Sequence, residues 1–196
     1  MVTHVTSLEA ELLRAAGAVP DPELPVLTLA ELGVLRALRV HGTDTVEVDL
    51  TPTYTGCPAV ETMATDIEHA LREHGMRDVT VRTVLQPAWS TDDITPEGLR
   101  KLRESGIAPP RRTRPASGPL PLSLGPTRTR GGRSADGTAA PGTPPATAPG
   151  PEPEPVRCPQ CGSADTELLS RFSSTACKAL RRCLSCREPF DHVKEL

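Results

Sequence analysis

The sequence has few aromatic side chains, and what apolar content it has is broken up by proline and glycine. Its 196 residues include one tryptophan, one tyrosine and two phenylalanines, against 22 prolines and 15 glycines. Proline-rich segments bury too little apolar surface to offset the entropy that is lost on ordering. This composition therefore excludes one continuous core, and the length allows one or two domains.

The chain also lacks a long apolar segment. No stretch approaches the roughly 20 consecutive apolar residues that cross a bilayer, and the start, "MVTHVTSLEAELL", has no basic region followed by an apolar run. We therefore expect a soluble cytoplasmic protein with no membrane partner. Cytosolic thiols stay reduced, so the six cysteines favour metal or redox chemistry over disulfides.

Charge is distributed unevenly. Residues 1–108 hold nine Lys and Arg against 17 Asp and Glu. An acidic domain repels phosphate groups, which argues against a nucleic-acid partner for this part of the chain.

The first 108 residues predict an α+β domain. Val46, Val48 and Leu50 alternate with acidic residues, which is typical of a strand with one buried face. Apolar residues at three- and four-residue spacing predict a helix from Pro58 to His74. The order α-β-β-α-β-α indicates two layers, with helices on one face of a small mixed sheet. In the first helix four residues share one predicted apolar face: Leu8, Leu12, Leu13 and Ala16.

Residues 109–157 have the composition of a linker. They hold 13 of the 22 prolines and show no apolar periodicity. We expect a disordered tether that leaves no fixed contact between the two ends of the chain, and whose arginines are solvated.

Residues 158–196 contain two Cys-x-x-Cys pairs. Cys158 and Cys161 form the first and Cys183 and Cys186 the second. In such a pair a tight turn lets both sulfur atoms reach one ion, and Gly162 stands where that turn needs a positive φ angle. A segment this small needs a bound metal or another cross-link to fold. The spacing predicts a zinc ribbon with a structural Zn²⁺, since rubredoxin-type iron uses the same spacing but is rarer.

Cys177 lies outside both pairs. It is either a small buried apolar side chain or an auxiliary thiol that passes or senses metal. The sequence leaves both interpretations open.

Cys57 is the single cysteine of the first 108 residues and stands at a strand-to-helix turn, "TPTYTGCPAVETM". The start of a helix carries partial positive charge, which predicts a lowered thiol pKa. A lone cysteine can equally be structural. Asp21 and Glu23 are acids that the fold could bring near it.

Two stretches then carry a family resemblance. "DPELPVLTLAELGVLRALRV" and "VEVDLTPTYTGCPAVETM" resemble the small domain of iron–sulfur cluster assembly factors, with an acidic-proline motif and a Gly-Cys-Pro turn. "PAWSTDDITPEGLRKLRESGIAPP" and the cysteine-rich tail resemble the family of D (also called J) subunits of the phenylacetyl-CoA oxygenase (epoxidase) system.

This resemblance implies a non-catalytic accessory subunit. Motifs for a di-iron centre, a nucleotide loop or a plant-type ferredoxin are absent from the sequence. The implied role is maturation of the iron or iron–sulfur centres of the oxygenase and reductase subunits in aerobic phenylacetate catabolism. Cys57 would be a ligand or relay for transient iron or an iron–sulfur cluster, with Asp21 and Glu23 beside it. A homodimer stays open.

Two other functions compete with maturation. A purely structural oxygenase subunit would need no reactive Cys57. A zinc-ribbon nucleic-acid-binding protein is disfavoured by the acidic first domain and the scarcity of aromatic side chains.

Overall fold

The computed structural model describes residues 7–111 and 154–195. Both ranges belong to one compact unit. The predicted tether falls almost entirely outside the described residues, so its disorder stays a prediction.

The first range contains the predicted elements in the predicted order. Its helices and strands are α1 Ser7–Gly17, α2 Leu29–Leu32, β1 Leu35–His41, β2 Thr45–Leu50, α3 Ala59–Glu73, β3 Asp78–Thr83 and α4 Pro96–Glu104, with a 3-10 turn at Thr91–Asp93 before α4. A two-residue strand, β4 Ile107–Ala108, closes this range.

Local sequence accounts for where the helices begin. The hydroxyl of Thr28 accepts the N–H of Glu31, and the Glu31 carboxylate accepts the N–H of Thr28, which forms a capping box at α2. At α4 the Thr95 hydroxyl accepts the N–H of Gly98, without a reciprocal bond, and Pro96 stands at the first helical position.

The three strands of the first range form a mixed sheet in the order β1-β2-β3. β1 and β2 are antiparallel, whereas β2 and β3 are parallel because α3 crosses over between them. Val46, Val48 and Leu50 are buried against the helices, as the alternation predicts. On the opposite face, Arg39 and Arg82 pair with the Asp49 carboxylate at 2.8 and 3.1 Å. The two-layer α+β fold is thereby confirmed.

Helix α1 buries a narrower face than the sequence indicated. In α1, Leu12 and Ala16 are buried, but Leu8 and Leu13 are exposed. The prediction that all four share the buried face is wrong for Leu8 and Leu13, because α1 contacts α2, α3 and β1 with the side centred on Leu12 and Ala16, and Leu8 and Leu13 lie at its two margins.

The tail folds as a small sheet. Its strands are β5 Thr166–Ser170, β6 Lys178–Cys183 and β7 Pro189–Val193. They follow one another as antiparallel neighbours, and β4 from the first range lies parallel to β7, giving the order β4-β7-β6-β5.

The tail therefore packs against the first range. The expectation of no fixed contact between these two parts of the chain is wrong. Cys177 and Val193 of the tail belong to the buried core of the first range. The Arg111 guanidinium also pairs with the Glu195 carboxylate at 2.7 Å, so this arginine is not merely solvated. A separate core of Ala108, Val156, Cys158, Cys183 and Phe190 supports the tail sheet.

Within the described ranges, no helix has the length and apolar character that crossing a membrane would require.

Candidate functional site

Cys57 lies in the loop between β2 and α3, with its side chain turned into the core. Gly56 has a φ of +84°, a left-handed conformation that glycine adopts without strain. The N–H of Cys57 then donates to the Tyr54 carbonyl at 3.2 Å, and Pro58 leads into α3. This turn leaves Cys57 only 9% exposed.

The acidic-proline loop between α1 and α2 is held by its own aspartate. The Asp21 carboxylate accepts the N–H groups of Glu23 and Leu24 at 2.9 and 2.6 Å. Asp21 is itself buried, and burial raises its pKa in spite of these two hydrogen bonds. This local turn fixes the position of the neighbouring Glu23.

The tail supplies a second thiol to the same place. Cys177 immediately precedes β6, is buried, and donates from Sγ to Oε2 of Glu23 at 3.4 Å. The Thr175 hydroxyl lies 3.1 Å from the same sulfur. Burial, together with the nearby Glu23 carboxylate, raises the pKa of Cys177 to about 11. Cys177, Cys57, Glu23 and Asp21 all line one location.

That location is a small cavity of about 20 Å³. It is lined by side chains from the first range and from the tail: Asp21, Glu23, Leu24, Leu32, Thr53, Cys57, Met63, Trp89, Cys177 and Val193. The Trp89 indole N–H donates to the Leu32 carbonyl at 2.8 Å, which holds the ring in the wall.

The helix-start position does not give Cys57 the lowered pKa that the sequence predicted. Burial raises the pKa of the Cys57 thiol, and the Glu23 carboxylate raises it further. The N–H of Ala59 and the hydroxyls of Thr53 and Tyr54 act in the opposite direction without overcoming burial. The prediction of a lowered pKa is therefore wrong, because loss of solvation outweighs the helix terminus.

A second sulfur-rich site lies in the tail. The sulfur atoms of Cys158, Cys161, Cys183 and Cys186 all lie within 4.8 Å of one another. The separations are 3.7 Å between Cys158 and Cys186 and 3.6 Å between Cys161 and Cys183. In residues 7–111 and 154–195 this is the one group of three or more His, Cys, Asp or Glu that converges tightly enough to share an ion.

The geometry of this group fits zinc. With Zn–S bonds of about 2.3 Å, a tetrahedral site has sulfur–sulfur edges of about 3.8 Å, close to the separations found here. Gly162 has the positive φ, +74°, that the first turn requires. In the second turn the N–H of Cys186 points at the Cys183 sulfur at 3.5 Å and lowers the pKa of that thiol to about 6, whereas burial and contact with the other sulfur atoms raise the pKa of Cys186. A thiolate is the form that binds metal.

Comparisons with known proteins agree with the two parts of the structure. Residues 9–84 match the family described as "Iron-sulfur cluster assembly protein", and residues 142–194 match the "PaaD zinc beta ribbon domain". The fold and the cysteine group thus define an iron–sulfur-assembly-type α+β domain joined to a zinc ribbon, and the tail holds Zn²⁺.

A curated relative from Escherichia coli (strain K12) is 41% identical over 176 residues, covering 90% of this chain and 86% of that protein. That relative is named as the putative D subunit of 1,2-phenylacetyl-CoA epoxidase. The chain belongs to the family of phenylacetyl-CoA epoxidase D subunits.

Two solved structures are also similar to part of the chain. A domain of unknown function (DUF59) from Bacillus anthracis is 24% identical, covers 48% of this chain and 91% of its own, and has a TM-score of 0.46. A conserved hypothetical protein from Thermotoga maritima is 28% identical, covers 52% of this chain and 98% of its own, and has a TM-score of 0.41.

The structure brings Asp21, Glu23, Cys57 and Cys177 together around one cavity, and the four paired cysteines around another point. Sequence reasoning did not identify Trp89 or Met63 as neighbours of Cys57. Trp89 could have been singled out because it is the one tryptophan in the chain and lies within the "PAWSTDD" stretch. Nothing local in the sequence distinguishes Met63 from the other apolar residues of α3.

Proposed function

We propose that this protein is a non-catalytic accessory subunit of the phenylacetyl-CoA ring 1,2-epoxidase system, and that it assists assembly of the iron or iron–sulfur centres of the epoxidase and its reductase. It would act in the cytoplasm, where thiols stay reduced. The relative's name and the match of residues 9–84 to an iron–sulfur cluster assembly family support this proposal.

One structural observation carries it furthest. The domain that matches the assembly family encloses Cys57 beside Glu23, Asp21 and a second thiol, Cys177. Thiolates and carboxylates are ligands for iron. The cavity is too small for an acyl-CoA substrate, so these side chains are better suited to handling metal than to oxidising an aromatic ring.

In this proposal the tail site has a structural role. Cys158, Cys161, Cys183 and Cys186 are the zinc ligands, because four sulfur donors leave no open coordination position for a substrate. Zinc there stabilises the sheet that presents Cys177 to the first domain. No step of maturation passes through the zinc ion.

A structural subunit is the second candidate, and one observation favours it. Both Cys57 and Cys177 are buried within one apolar core, and burial raises the pKa of each, so the thiols are protonated at neutral pH. Buried protonated cysteines can act purely as small apolar side chains.

The test is metal analysis of the epoxidase and reductase subunits produced with and without this protein. Maturation predicts iron-poor subunits in its absence and normal iron content when it is restored. A structural role predicts normal iron content in each separated subunit, with only the stability of the assembled complex reduced.

A further inference from the structure

The cavity beside Cys57 is lined by both the first domain and the tail. Cys57 and Glu23 come from loops of that domain, but Cys177 comes from the zinc ribbon, more than 100 residues further along the chain. Glu23 links the two parts directly, because its carboxylate accepts the Cys177 S–H. The donor set is complete only when the tail is docked.

The size of the cavity limits what it can hold. A volume of about 20 Å³ corresponds to roughly one water-sized probe. A single metal ion fits such a space, whereas a cluster of several iron and sulfide ions requires the loops to open. The enclosure by Leu24, Leu32 and Trp89 also keeps bulk water away from any ion inside.

The ligand atoms at this cavity suit a divalent metal of intermediate softness. Two thiols and a carboxylate are softer than the all-oxygen sites of Mg²⁺ and Ca²⁺, and they suit Fe²⁺, Co²⁺ and Zn²⁺. These donors do not converge as tightly as the four tail cysteines, so the side chains must rotate inward around an ion. A site that is not preformed binds more weakly, as is needed where an ion has to leave again.

We propose that Cys57, Cys177 and Glu23 together bind a single exchangeable divalent ion of the Fe²⁺ class, and that the zinc ribbon supplies Cys177 as an obligatory ligand. Each thiol loses its proton to solvent as it binds, and the metal is neither oxidised nor reduced. This inference rests on the proposed function, since it names the cargo of the same site.

The chain contains a reporter for this cavity. Trp89 is the one tryptophan and lines the cavity wall, so its emission is quenched by Co²⁺ bound there. Co²⁺ also shows thiolate-to-metal absorption whose intensity increases with the number of thiolate ligands. The experiment adds Co²⁺ to the full, zinc-loaded chain under reducing, oxygen-free conditions, with elemental analysis to show that the tail zinc is retained.

We expect about one Co²⁺ per chain beyond the zinc, with quenched Trp89 emission. Cys57→Ser and Cys177→Ser should each reduce the thiolate absorption to about half and weaken binding by about tenfold or more. Glu23→Gln should weaken binding while the absorption at saturation is kept. Glu61→Gln, an exposed acid of α3, is the matched control and should bind like the wild type.

Two results would overturn the proposal: no Co²⁺ beyond the zinc, or unchanged binding in Cys177→Ser. A second measurement needs no substitution and so does not depend on the folding of a variant. Bound Co²⁺ should protect both Cys57 and Cys177 of the wild-type chain from alkylation, and protection of Cys57 alone would also contradict the proposal.

These measurements use this chain alone, so their outcome is separate from that of the maturation assay. If Co²⁺ does not bind but maturation is intact, the proposed ion site is wrong and the accessory role still stands. Intact Co²⁺ binding without an effect on epoxidase iron removes the maturation role and leaves the ion site.

Discussion

The two cysteine-containing sites of this protein differ in how closely their potential metal ligands converge. In the tail, four cysteines on two tight turns converge so that their sulfur atoms lie within 4.8 Å of one another. Beside Cys57, two thiols and two carboxylates share a cavity without converging, and burial raises the pKa of both thiols. The first arrangement is suited to holding an ion permanently, whereas we propose that the second binds one briefly.

The largest expected effect comes from breaking the tail site. Cys158→Ser should lower zinc content from about one ion per chain to almost none, and unfold the tail sheet, because a small ribbon depends on its metal for folding. Elemental analysis and circular dichroism would measure this.

Ser185→Ala changes an exposed residue of the second turn that is not a ligand, and serves as the control. The first domain should keep its own core in Cys158→Ser. Full zinc content in that variant would show that the four cysteines do not form the site.

The next effect links the two sites. In the wild type, Cys57 should alkylate more slowly at pH 7 than an exposed thiol, because it is 9% exposed and burial raises its pKa. In Cys158→Ser the unfolded tail withdraws Cys177 and Val193 from the cavity, and alkylation of Cys57 should accelerate by about tenfold or more.

Peptide mass mapping of the alkylated chain would give the rate at Cys57, with the urea-unfolded protein as the upper limit. Equal rates in the wild type and Cys158→Ser would mean that the tail does not cover Cys57 in solution.

The smallest effect concerns the ion pair between Arg111 of the first range and Glu195 of the tail. Arg111 donates to the Glu195 carboxylate from both its guanidinium and its backbone N–H. Burial alone would raise the pKa of Glu195, but these bonds outweigh it and lower that pKa to about 2. Glu195→Gln should lower the free energy of unfolding at pH 7 by about 1.5–3 kcal/mol, the usual value for a hydrogen bond to a charged group.

Urea unfolding would measure this change, and Arg103→Ala, at an exposed position of α4, is the control. A loss in Glu195→Gln no larger than in the control would show that the pair is dispensable.

The sequence predicted the parts of the fold that depend on local pattern. The alternation of Val46, Val48 and Leu50 and the apolar spacing that predicted a helix from Pro58 to His74 are local signals, and the structure confirms both. The turn at Gly162 follows in the same way from the spacing of one Cys-x-x-Cys pair.

Docking of the tail could not be predicted in that way. It depends on a two-residue strand, Ile107–Ala108, that pairs with residues more than 80 positions away, and two residues give no periodicity to detect. The pKa of Cys57 was mispredicted for a related reason. The helix terminus is visible in the sequence, whereas the burial that outweighs it depends on Trp89, Cys177 and Val193 from distant parts of the chain.

Maturation by way of Cys57 is tested most directly by the iron content of the epoxidase and reductase subunits co-produced with Cys57→Ser. Serine is close to cysteine in size, so the variant should keep its zinc and its fold, but a hydroxyl binds iron poorly at neutral pH. We predict iron-poor partner subunits and loss of phenylacetyl-CoA ring oxidation. Partner iron and activity equal to those obtained with the wild type would contradict the account and leave Cys57 as a packing residue of a structural subunit.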